Sequence, residues 1–462
     1  MEVIPGDRAY FAEEDLQRIR KAQEKQDAPK YVQAASLSPV RPQEQSARES
    51  APRTARKENR VRGRLGVDYS GMQIPGAGIT SSQFGFMIRL DAERLGGSYW
   101  KISGYYRGRL RSRKDTVQNE TLRDLINRTY TLSVSYENPE SRWVAGAGRL
   151  YVPWASSLST LDGFYLGRRI GKQTVGVFGG TTPNPTSWNY DRDRQLGGAF
   201  VSTERGSFES FRFTGTAGIA LSRVDWKPDR QFGFFENNLY YKRYLSIYSD
   251  VEADLRTGSQ NSGNRDMVLS RSYFTVRLQP HKIISFDVNE SYYRNIPTFD
   301  TRLIGTGLLD KFLFQGLSGG FRLTLPYRVG IFANTGRSSR TGDQKASWNY
   351  LFGGSLRDIL GSGFRAEYRY SRFDSSFGRG TYQSVGVDRE LGEGFRLDVQ
   401  AGQQDVTSSF TSQRRARFLS GNIDCYVGTN YILGGGVTVY RGQVQTYNQY
   451  FLRLGYRFNN RR

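Results

Sequence analysis

From Arg60 to Phe458 the chain alternates apolar and polar residues with a period of two. Val61, Gly63, Leu65, Val67 and Tyr69 are interleaved with Arg60, Arg62, Arg64, Asp68 and Ser70. Trp100, Ile102, Gly104, Tyr106, Gly108 and Leu110 alternate with Lys101, Ser103, Tyr105, Arg107, Arg109 and Arg111. Phe364, Ala366, Tyr368 and Tyr370 oppose Arg365, Glu367 and Arg369, and Phe395, Leu397, Val399 and Ala401 oppose Arg396, Asp398 and Gln400. Such a period places successive side chains on opposite faces of a β-strand. Carried along the region, it predicts about 22 strands, within a range of 18 to 22. Residues 231–241 and 381–391 fit least, because their apolar series is broken.

Proline cannot donate to a ladder. Pro75, Pro139, Pro153, Pro183, Pro185, Pro228, Pro280, Pro297 and Pro326 all fall between the predicted strands. The connections alternate in length. Short ones centre on Gly96-Gly97, Asn138-Pro139-Glu140, Gly171-Lys172, Pro280-His281, Leu325-Pro326 and Gly392-Glu393. Longer ones span 112–128, 181–194 and 295–309. Hairpins with short turns at one rim and longer loops at the other are expected.

So many strands with one apolar face must cover that face. Open soluble sheets rarely exceed about ten strands, and no blade-length repeat marks a propeller. No apolar run reaches the ~18 residues of a membrane-spanning helix. Closure into a cylinder, apolar side to lipid and polar side to a wet lumen, satisfies every strand edge. The expected fold is all-β, a closed antiparallel transmembrane β-barrel over 60–458. Trp100 and Trp143 follow short turns, and Trp154, Trp188, Trp226 and Trp348 lie in or beside long loops, so two interfacial girdles are expected.

Residues 447–458, YNQYFLRLGYRF, place Leu452, Leu454, Tyr456 and Phe458 on one face. This segment resembles the aromatic-ended last strand of Gram-negative outer-membrane β-barrels. The resemblance implies an outer-membrane location and recognition of those four residues by the barrel-assembly machinery. Here a short basic tail, 459–462, follows. A looser likeness joins Gly148-Arg149, Leu161-Asp162-Gly163 and Phe178-Gly179-Gly180 with Pro183. That spacing is similar to one in large porins and polysaccharide-export barrels.

Charge sharpens the picture. The chain carries 66 Lys+Arg against 44 Asp+Glu, a net +22. From residue 60 onward there are 47 Arg and 8 Lys. The alternation turns Arg60, Arg62, Arg64, Arg89, Arg107, Arg109, Arg271, Arg277, Arg365, Arg369, Arg396, Arg453 and Arg457 inward, together with Arg212, Arg322 and Arg328. Inward acids are fewer: Asp68, Asp91, Glu137, Asp250, Glu252, Asp254, Asp287, Glu367, Asp398 and Asp424. Arginine on a lipid face costs about 2–4 kcal/mol at the membrane midplane, so the lumen is its cheaper place. Guanidinium–carboxylate pairing would brace the wall, and the surplus positive charge would favour anions. Because these arginines recur along a barrel wall, no nucleic-acid partner is expected.

Composition argues against an enzyme. Only one His (His281) and one Cys (Cys425) are present, so cysteine metal sites, multi-His cages and internal disulfides are excluded. No catalytic residue, metal or cofactor is expected. His281 reads as a solvated turn residue and Cys425 as an apolar-face residue.

Residues 1–59 differ: 11 basic and 10 acidic residues, five prolines and few large apolar side chains. They read as a polar periplasmic extension, with a short helix over 11–25 and a linker over 28–59. A remnant of a small N-terminal β-domain is one reading of it, and contact with a periplasmic partner is compatible with it. The start, MEVIPGDRAYF, is not a signal peptide. Two functions fit. One is a pore passing anionic small solutes or an exported anionic polymer such as a polysaccharide. The other is an occluded structural or partner-binding barrel, with the 295–309 loop folded inward.

Overall fold

The computed structural model describes residues 59–461, apart from 77, 115–120, 156–157, 186, 258–264, 295–312, 341–342, 377, 393, 409–410 and 444–445. The expectations for residues 1–58 and for the 295–309 loop lie outside the described residues.

The chain forms 22 strands. In order they are β1 Arg60–Ile74, β2 Gly78–Glu93, β3 Trp100–Lys114, β4 Thr121–Tyr136, β5 Trp143–Leu150, β6 Leu161–Ile170, β7 Gln173–Thr181 and β8 Arg194–Gly206. Then follow β9 Phe211–Val224, β10 Lys227–Tyr241, β11 Leu245–Thr257, β12 Arg265–His281, β13 Ile284–Arg294, β14 Leu313–Thr324 and β15 Val329–Arg340. The last are β16 Ser347–Arg357, β17 Phe364–Ser375, β18 Gly378–Leu391, β19 Phe395–Ser408, β20 Thr411–Val427, β21 Tyr431–Gly442 and β22 Thr446–Arg461. Each pairs antiparallel with its neighbours in sequence, and β22 closes on β1 from Arg60↔Arg461 to Gln73↔Asn448. Closure removes every long sheet edge, which a membrane requires. The fold class predicted from the alternation is the one observed.

Several sequence expectations are corrected. Residues 112–128 are mostly strand rather than loop, because β3 runs to Lys114 and β4 begins at Thr121. The longer-loop rim also holds tight connections, as between β9 and β10. Pro228 and Pro280 lie inside β10 and β12, not between strands. Both sit where the ladder slips register, between Pro228 and Arg230 and between Leu278 and His281, so a missing N–H is tolerated there. β22 continues through Asn459 to Arg461, so most of the basic tail is strand.

One face of the sheet is apolar and exposed all round: Leu65, Phe84, Leu110, Leu132, Ile219, Leu317, Phe352, Val385, Leu419 and Leu454 are examples. The other is polar over most of its extent. On β6–β10 it carries Tyr165, Phe178, Leu196, Phe200, Ala220, Phe232 and Phe234, all buried. The segment joining β5 to β6 packs against them through Val152, Trp154, Ala155 and Leu158. Trp154 stacks on Phe200 at 5.3 Å and meets Tyr165 edge-on at 5.7 Å. These rings lie flat over glycines of the adjoining strands: a methyl at Gly218 would meet the Phe234 ring at 2.3 Å and one at Gly176 the Phe200 ring at 2.6 Å. This explains the poor pattern of 231–241. There Phe232 and Phe234 stand on the polar face of β10 while Gln231 and Asn237 stand on the apolar one, so no period-two contrast survives.

Candidate functional site: arginine rows on the polar face

Closure brings β22 beside β1, so strands from opposite ends of the chain build one basic sector, β22–β1–β2–β3–β4. Arg64 is paired with Arg457 on one side and Arg89 on the other. Arg107 is opposite Arg128, and Asp68 opposite Arg453. Adjacent strands are about 4.8 Å apart, so Arg457, Arg64 and Arg89 hold like charge in neighbouring positions, an arrangement that destabilises a sheet. Few acids offset it. Arg62 donates to Glu93 at 2.9 Å and Arg89 lies 3.6 Å from Asp91. Arg60, Arg64, Arg107 and Arg109 each have a buried Nε without a hydrogen-bond partner. These four, with Arg111 and Arg457, form no ion pair among the described residues.

Strands β10–β12 are built differently. Arg230 donates from Nε to Asp254 Oδ1 at 2.5 Å and from Nη2 to Glu252 Oε2 at 2.6 Å, Asp254 Oδ2 at 2.8 Å and Ser270 Oγ at 3.2 Å. Its guanidinium lies 4.0 Å from the centre of the Phe232 ring. Arg271 meets Asp250 at 2.8 Å and Glu252 at 3.4 Å. Asp250, Glu252 and Asp254 are all buried.

The remaining arginines are also placed by register. Arg277 is opposite Asp287. Arg365 and Arg396 lie 3.5 and 3.8 Å from Asp388, Arg369 pairs with Glu367, and Arg453 meets Asp424 at 2.7 Å. Arg328 is the exception. It sits in the Pro326–Arg328 turn rather than in a strand and pairs with Asp358. Glu137 likewise falls in a turn, just past the end of β4. Among the described residues no group of three or more His, Cys, Asp or Glu could hold a metal ion.

Leu452, Leu454, Tyr456 and Phe458 share the apolar face of β22 and pair with Tyr69, Val67, Leu65 and Gly63 of β1. The Phe458 ring fills the space beside Gly63, where a methyl would meet it at 2.3 Å. Cys425 is opposite Leu433 on the same apolar face. His281 is the last residue of β12, and its Nδ1 accepts from the Ile283 N–H at 3.3 Å. Trp100, Trp143, Trp226 and Trp348 are exposed as girdle residues should be. Trp154 is not, since it packs into the buried cluster.

Two features escaped the alternation. One is the packed segment between β5 and β6. Its signal was the run Leu150, Val152, Trp154, Ala155, Leu158 in a connection between two strands. The other is the ion pair of Arg149 with Asp162, Nε to Oδ1 at 2.5 Å and Nη2 to Oδ2 at 2.6 Å. It joins two pieces of the loose motif, whose glycines also align as Gly148↔Gly163↔Gly180 across β5, β6 and β7.

No protein-family model and no curated protein matches this chain. Solved structures do. The P pilus usher (PapC) translocation pore superposes with a TM-score of 0.52 at 10% identity, over 86% of this chain and 99% of that one. The fold shared with it is a closed antiparallel β-barrel. Pseudomonas aeruginosa OccK7 (OpdD) gives 0.45 at 9% identity over 87% of this chain and 98% of that one. Acinetobacter baumannii OccAB2 gives 0.44 at 8% over 87% and 98%. At such identities the likeness is one of fold, and the usher pore carries it.

Proposed function

We propose that this protein is an outer-membrane pore of a Gram-negative bacterium, its polar face lining a wet lumen that passes anionic small solutes or an exported anionic polymer. The observation that carries this reading is the set Arg457, Arg60, Arg64, Arg107, Arg109 and Arg111 on β22, β1 and β3, which form no ion pair among the described residues. A barrel that needed arginine only for bracing would match each with a carboxylate, as Arg230 and Arg271 are matched on β10 and β12. Rows of unmatched guanidinium groups on a water-filled wall set a positive potential and offer bidentate donors to carboxylate, phosphate or sulfate. The segment between β5 and β6, packed on the same face, narrows the passage. In this reading the apolar face contacts outer-membrane lipid, and Leu452, Leu454, Tyr456 and Phe458 present the strand read by the assembly machinery. Residues 1–59 are left in the periplasm for a partner.

The test is conductance of the purified barrel in a planar bilayer under a potassium chloride gradient. A steady conductance with an anion-selective reversal potential is expected, and Arg107→Gln with Arg109→Gln should move that potential toward the cation side. A folded barrel that does not conduct would replace the pore with the occluded, partner-binding reading.

A further inference from the structure

The wall is not equally tall all round. β4 is 16 residues long, whereas β5, β6 and β7 have 8, 10 and 9. The β4–β5 ladder runs only from Tyr136↔Ala145 to Leu132↔Arg149, while β3 stays paired with β4 as far as Lys114↔Thr121. Above Leu132, then, β4 has no strand partner on its β5 side among the described residues. Eight residues tilted by about 40° raise a wall by roughly 20 Å, short of the apolar band of about 25 Å. The result is a notch between the edge of β4 and the tops of β5 and β6.

What stands in the notch is specific. Arg149, already held by Asp162, donates from Nη1 to the Thr129 carbonyl of β4 and to the Trp188 carbonyl, both at 2.9 Å. One side chain thereby ties the edge of β4, the tops of β5 and β6, and the β7–β8 connection. Trp188 has φ 62°, its ring lies 5.6 Å from Tyr130, and its Nε1–H is buried without an acceptor. Beside it is a cavity of about 580 Å³, lined by Tyr106, Asn127, Thr129, Leu132, Trp188 and Tyr190 among others. That volume is within the roughly 300–1,000 Å³ of ligand sites. Tyr106, Asn127, Thr129 and Leu132 belong to the apolar face. The residues alternating with them on β3 and β4, Arg107, Arg109 and Arg128, belong to the polar face. The edge of β4 is where the two faces meet.

We propose that this notch is a lateral port for an anionic amphiphile, an alkyl chain ending in a carboxylate or sulfate. The inference rests on the reading that the polar face lines the lumen. The head group is held by Arg107 and Arg109, which lack ion-pair partners, and the chain passes the edge of β4 into the cavity against Leu132 and Tyr106. Trp188 is the plug of the port and Arg149 its latch.

The probe is dodecanoate binding to the full-length barrel in nanodiscs, with dodecyltrimethylammonium and hexanoate as comparisons. Dodecanoate should bind at least 10-fold more tightly than either. Asn127→Trp and Leu132→Trp, which fill the cavity, should each weaken it at least 10-fold and leave the small-ion reversal potential unchanged. Circular dichroism reports whether each variant keeps its strands. Dodecanoate binding that ignores both variants, or that the cationic amphiphile equals, overturns the port. Loss of the port with anion selectivity intact leaves the pore standing, whereas a barrel without anion selectivity fails the pore reading on its own readout.

Discussion

Arg107 and Arg230 occupy the same face of one cylinder, and their surroundings separate two uses of arginine. Arg230 is enclosed by Asp254, Glu252 and Ser270, and the carboxylates it neutralises are buried. Its fork is spent within the wall. Arg107 faces Arg128 across the ladder, and its Nε has no partner. Arg230 and Arg271 lend β10–β12 rigidity through matched charge, whereas Arg457 and Arg64 sit in register with like charge and keep donors unspent. A wall built only for stability would not leave them so. The contrast teaches that arginine content says little about function until each guanidinium is checked for its carboxylate.

The largest expected effect breaks the matched side. Arg230→Ala leaves Asp254 and Glu252 buried without their main counter-charge, a loss of about 3–5 kcal/mol for an uncompensated buried charge. Arg107→Ala should stay within about 0.5 kcal/mol, as substitutions away from buried networks do. Urea unfolding of both variants in the same lipid measures the pair. Equal losses would erase the distinction between the two sectors.

Next in size is the apolar interruption of the polar face. Trp154→Ala removes the ring stacked on Phe200 and should cost roughly 1.5–3 kcal/mol of side-chain burial. It should also raise single-channel conductance, because the segment it anchors loosens from the wall. Unchanged conductance would show that this segment does not narrow the passage.

How much of this was legible beforehand follows from the physics of a barrel. Alternation is a local signal, so the strands, the closed fold and the polar-face placement of residues such as Arg64 and Arg107 could be read directly. Which arginines would be matched could not, because pairing depends on register across strands distant in sequence. Arg457 meets Arg64 only once β22 has closed on β1. The buried cluster was hidden for a different reason. Phe232 and Phe234 on the polar face of β10, with Gln231 and Asn237 on its apolar face, mimic a broken strand, and Trp154 resembles a girdle residue until its ring is seen on Phe200. Arg328 was misplaced because a turn of three residues interrupts the alternation at Pro326.

The smallest expected effect separates the two sectors by salt. The Debye length falls from about 10 Å at 0.1 M to about 3 Å at 1 M, and exposed charges are screened far more than buried ones. If Arg60, Arg64, Arg107, Arg109 and Arg457 act through a potential in open water, anion selectivity should decline steadily as potassium chloride rises toward 1 M. The stability gap between the parent and Arg230→Ala should barely move over the same range, because Asp254 and Glu252 are sheltered from solvent. Measuring reversal potential and urea midpoint on one salt series compares both sectors directly. Selectivity indifferent to salt would mean that anions are held by direct guanidinium contact within a narrow passage, and the field would then be secondary to geometry.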